Sequence, residues 1–112
     1  MHDPSVIILT KQIYVQATRL TSKLPANQRQ ILGRRLENAL LNLLEILIMA
    51  KNAPRGLKAS YLIKAGATAE ICEFLLQILL EEKSTSATTV QQILAKLADV
   101  QRQIGGWRKS VQ

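Results

Sequence analysis

Proline stands at three places only, positions 4, 25 and 54, and the chain between them is free of breaks over long stretches. From Ser5 to Leu24 there is neither Gly nor Pro. Pro25 closes that run, and Asp3-Pro4 reads as a helix N-cap followed by a first helical residue. A second run, to Lys51, holds one glycine, Gly33. The cluster Asn52-Ala53-Pro54-Arg55-Gly56 is a turn signal. A third run ends at the polar break 84–88, where Ser86 or Thr88 can cap the next helix. The punctuation predicts four helices, at about 5–24, 26–51, 57–83 and 88–109.

Periodicity supports the same division. In the second run Ile31, Leu32, Leu36, Ala39, Leu40, Leu43 and Leu47 recur at steps of three and four. Tyr61, Leu62, Ala65, Ala69, Cys72, Leu76, Leu79 and Leu80 do so in the third, and Val90, Ile93, Leu94, Leu97, Val100, Ile104 and Trp107 in the fourth. The first run carries Val6, Ile13, Ala17, Leu20 and Leu24. Long helices joined by short connections pack as antiparallel neighbours. The expected fold is all-α, an up-down-up-down antiparallel four-helix bundle, with residues 1–112 forming one domain. At 1.5 Å per residue the helices are roughly 30–40 Å long, so their lengths match.

Composition removes the alternatives. An apolar content of 47% supplies a core, which a disordered basic tail lacks. With 4% aromatics and few Gly and Pro, a β-sandwich or barrel is disfavoured. One Cys and one His exclude a disulfide framework and are too few for an ordinary Cys/His zinc site within one chain. No secretory leader is visible, and the most apolar stretch, 39–50, is interrupted by Asn42 and Glu45. A cytoplasmic protein with no membrane partner is expected.

The second and third helices are more apolar than one buried stripe requires. Leu41, Leu44, Ile46, Ile48 and Met49 exceed the need in the second; Ile71, Phe74, Leu75 and Ile78 do so in the third. They either thicken the core or cover a contact between copies. The second reading makes Leu41, Leu44, Ile48, Phe74, Leu75 and Ile78 the candidate interface of a homo-oligomer.

The net charge of +7 is unevenly placed. Residues 5–24 carry Lys11, Arg19 and Lys23 with no acid, whereas 53–83 balance four cations against Glu70, Glu73, Glu81 and Glu82. In an up-down bundle the second connection and the C-terminus share one end. Lys51, Arg55, Lys58, Arg102, Arg108 and Lys109 then gather there, a footprint for a polyanion. With Arg34, Arg35, Arg19 and Lys23 they are the candidate nucleic-acid contacts. Such contacts would be to phosphates, salt-sensitive and largely blind to base sequence. The alternative is a solvated basic surface.

Catalytic chemistry has no visible carrier. Both nucleotide-loop patterns are absent. His2 is an incidental residue near a terminus, and Cys72 belongs to the apolar stripe. Glu70 and Glu73 share a helix face but no His joins them. A non-enzyme without cofactor or metal is expected.

The order of features resembles a known family. A Leu-Pro ends helix one, and Leu32-Gly33-Arg34-Arg35 opens helix two, which ends in Ala50-Lys51 before a Pro/Gly turn. A Leu/Ala-rich third helix follows, and the fourth closes on Gln103-Ile104-Gly105-Gly106-Trp107. This pattern, over about 8–109, is similar to the four-helix bundle family of accessory variability determinants (Avd) of diversity-generating retroelements and of proteins encoded in 23S rRNA intervening sequences. The basicity is more like the retroelement branch. The resemblance implies a pentamer that binds the retroelement reverse transcriptase and its template RNA in error-prone cDNA synthesis, with DNA as a further expected partner. It also makes Gly33, Gly105, Gly106 and Trp107 packing positions, although Gly105-Gly106 can equally be read as a helix C-cap. The intervening-sequence branch, with no assigned activity, and a structural oligomer with incidental charge are the alternatives.

Overall fold

A computed structural model describes residues 4–83 and 85–112. Helix α1 is Ser5–Thr21. Helix α2 passes through Ala26–Gln28, a π-helical turn at Arg29–Gly33, and Arg34–Asn52. The backbone stays helical at both joins, so α2 is one rod. Helix α3 is Arg55–Glu82 and α4 is Ala87–Ser110. The four helices form the expected all-α bundle.

Each helix packs on its sequence neighbour, and α1 closes the square by packing on α4. Helices α1 and α3 therefore stand on one diagonal. Two cross-links show α1 and α4 running antiparallel. Ser5 Oγ donates to Gln103 Oε1 (2.6 Å), and Lys96 Nζ donates to Gln16 Oε1 (2.8 Å). The long dimension is 44 Å, close to the roughly 42 Å of α3.

The inward rows match the sequence pattern except at Ile31, which lies in the π-helical turn and is 71% exposed. Ile13, Leu36, Leu40, Leu43, Leu47, Leu62, Leu76, Leu79, Ile93 and Leu97 are fully buried. Each such side chain contributes roughly 1.5–3 kcal/mol by leaving water. Thr10 and Thr68 are buried too, and their hydroxyls donate to carbonyls one turn back, of Val6 and Lys64.

Boundaries differ from the sequence expectation in instructive ways. Pro4, Pro25 and Pro54 all occupy N-cap positions, with ψ near 150°. Pro4 is thus the cap and not the first helical residue; Asp3 lies outside the described residues. Helix α1 stops at Thr21, earlier than the expected 24. Leu24 precedes a proline, whose ring disfavours helical backbone at the residue before it. Ser86 is the α4 cap, its Oγ accepting from the Thr89 N–H (3.2 Å). Lys83 ends α3 in the left-handed region, φ 56°, with its N–H donated to the Leu80 carbonyl. Among the described residues no helix is long and apolar enough to cross a membrane.

Candidate nucleic-acid and assembly surfaces

The bundle brings the second connection and the C-terminus together, as Arg55 shows by donating from Nη2 to the Ser110 carbonyl (3.1 Å). Lys58 Nζ donates to the carbonyls of Ala50 (2.9 Å) and Lys51 (2.7 Å). These are carbonyls of the last turn of α2, which lack helical partners and carry partial negative charge. Arg102 pairs with Asp99 at 2.6 Å. Three of the expected phosphate contacts are thus held by the protein itself. Lys51 is half-buried. Arg108 and Lys109 are exposed, and among the described residues no side-chain bond holds them.

At the other end, the π turn brings Arg29 and Arg34 to one hollow of about 330 Å3 with Thr18, Ser22 and Glu37. The Glu37 carboxylate accepts from the Thr21 hydroxyl. Arg35 is exposed on α2. Arg29 was not among the sequence candidates.

A second basic feature lies along the side. Two hollows, about 510 and 300 Å3, share Gln16 and Arg19 and form one furrow between α1 and α4. Lys11, Arg19, Lys23 and Lys96 line it with polar and apolar neighbours, and among the described residues no carboxylate does. Arg19 and Lys23 were candidates from the sequence; Lys11 and Lys96 were not. The absence of acid from 5–24 was the available signal, but the Lys96 contribution depends on the α1–α4 pairing.

The apolar surplus divides. Leu44, Ile46 and Leu75 are half-buried against the core. Leu41, Ile48, Phe74 and Ile78 stay exposed, Phe74 at 58%. Leu41, Leu44 and Ile48 continue a row that begins at Glu37, and Glu37 meets α1 through Thr21. That row flanks the α1–α2 seam. Ile63, Ile71, Phe74 and Ile78 lie opposite the buried row of α3. The candidate interface residues therefore occupy two faces, not one.

The packing positions also separate. A Cβ at Gly33 would lie 3.2 Å from Thr21 Cβ and 3.4 Å from Leu24 Cδ1, so α1 and α2 meet closely there. Gly105 and Gly106 are exposed inside α4, with nothing within 4 Å of an added Cβ. They are not a C-cap, because the helix continues to Ser110, and among the described residues no other helix approaches them. Trp107 is half-buried against the core. Cys72 is fully buried, and burial pushes its thiol up to about 12. Among the described residues no group of three or more His, Cys, Asp or Glu is placed to hold a metal ion.

No family model matches the chain. A comparison with curated proteins finds no match.

Proposed function

We propose that this chain is an accessory scaffold of a diversity-generating retroelement: a basic, pentameric four-helix bundle that binds the reverse transcriptase and its template RNA without catalytic chemistry of its own. The observation that carries the reading is the pair of exposed cations, Arg108 and Lys109, at an end where neighbouring cations already neutralise the helix termini. The exposed apolar rows of α2 and α3 support self-association. The Leu-Gly of α2 and the Gly-Gly-Trp of α4 carry the likeness to the Avd family.

The test is RNA filter binding over a salt series. Arg108→Glu with Lys109→Glu should weaken binding at least tenfold and flatten its salt dependence, because each phosphate contact releases counterions. Unchanged binding overturns this placement. Arg55 and Lys58 are kept native, since their reversal would set carboxylates against helix carbonyls. A reverse-transcriptase gene beside this one favours the retroelement branch; a position inside an rRNA gene removes it.

A further inference from the structure

We infer that a second copy of this chain seats the outward face of its α3 in the α1–α4 furrow, so that copies join head to tail through two different surfaces. The inference rests on the self-association in the proposed function and names the surfaces that make it.

On α3, Ile63, Ile71, Phe74 and Ile78 form a row pointing away from the bundle, each between 39% and 58% exposed. Exposed Glu70, Glu81 and Glu82 surround it. From position 63 to the Lys83 cap, Lys64 and Lys83 stand against four glutamates, and Lys64 lies over the Tyr61 ring. The furrow is the counterpart. It exposes Ile8 and Val15 between Lys11, Arg19, Lys23 and Lys96. Each surface has an apolar centre and a charged rim, and the rims are of opposite sign.

Length and register agree. The helical part of the furrow, Ile8 to Thr21, spans about 20 Å and the row from Ile63 to Ile78 about 22 Å at the helical rise. Helices α1 and α3 run in the same direction, so a rotation about an axis along the bundle sets them parallel. In that register Ile63 meets the level of Ile8, Glu70 that of Val15 and Lys96, and Ile78 that of Lys23, with Glu81 and Glu82 about one turn beyond it.

Self-pairing of either face is disfavoured. Furrow on furrow sets Lys11, Arg19, Lys23 and Lys96 against their own copies, and α3 on α3 does the same with glutamates; like charges in contact oppose association. The furrow and the outward row of α3 lie on different sides of the bundle, so each protomer offers both at once, the condition for a heterologous assembly.

The experiment uses two variants. Phe74→Glu with Ile78→Glu blocks the α3 face, and Val15→Glu with Arg19→Glu blocks the furrow. All four positions are exposed, and circular dichroism checks that helicity is kept. Light scattering reads the mass of each sample. Oligomeric native chain, with each variant alone at 12.5 kDa and their mixture at twice that mass, supports the proposal. Native oligomer with either variant still self-associating overturns the contact but leaves self-association standing. A monomeric native chain overturns both. Furrow variants that stay oligomeric while losing RNA binding make the furrow a nucleic-acid site and also overturn the contact.

Discussion

Helices α1 and α3 occupy equivalent places on the diagonal of the bundle, yet their outward faces differ completely. Inward, both do the same work: Ile13 and Ala17 on α1 and Leu62, Cys72 and Leu76 on α3 are fully buried. Outward, α1 presents Lys11 and Arg19 around Ile8 and Val15, while α3 presents Ile71, Phe74 and Ile78 among glutamates. The fold requires only the inward rows. Chemistry on the outward rows is therefore free to serve contacts beyond the single chain, and the two faces are suited to each other better than to themselves.

The largest test of that division sets the two rows of α3 against one another. Leu76→Ala, in the inward row, should lower the unfolding free energy by about 2–5 kcal/mol. Phe74→Ala, in the outward row, should change it by less than about 0.5 kcal/mol in dilute, monomeric protein. Urea denaturation measures both, and equal losses would make the α3 face part of the fold. Next comes the seam that fixes α1. Gly33→Leu should cost about 1–3 kcal/mol, because Thr21 and Leu24 leave no room for a side chain. A neutral result would mean that α1 is loosely held and its outward face poorly defined.

The inward position of Cys72 predicts a pH effect. Its thiol sits at about 12 in the fold because burial disfavours the thiolate. The unfolded chain, near 9, loses that proton first as pH rises, so stability is full below about 9 and falls between 9 and 12. The slope approaches about 1.4 kcal/mol per pH unit. Cys72→Ala should remove this part of the decline in urea melts at pH 8 and 10. A thiol that reacts with an alkylating reagent as fast in folded as in unfolded chain would contradict the burial. The smallest effect belongs to the end of α3. Lys83→Gly should stabilise by up to about 1 kcal/mol, since glycine adopts the left-handed backbone there without strain. A loss would show that the Lys83 side chain holds the outward face of α3 in place.

Much of this was legible beforehand. Proline positions marked three helix starts, and the three-four spacing of Leu36, Leu40, Leu43 and Leu47 identified buried positions. The gathering of Arg55 with the C-terminus followed from topology, and the Ser110 contact fits it. The engagement of Lys58 was not legible, because a lysine near a turn reads alike whether it faces solvent or helix carbonyls. The π turn at Arg29–Gly33 left no periodic trace. It coincides with the close meeting of Gly33 and Thr21, a tertiary constraint invisible to local spacing. The furrow was half-visible: the acid-free first helix stood out, but Lys96 joins it only through the pairing with Gln16. The surplus apolar residues looked like one interface and occupy two, because flanking and outward positions on neighbouring helices diverge once the helices are placed.

The most direct test of the scaffold account is the solution mass of the native chain, measured by light scattering across a concentration series. The account predicts a stable assembly at a multiple of 12.5 kDa, five copies for the pentamer proposed. A constant 12.5 kDa at every concentration would contradict it.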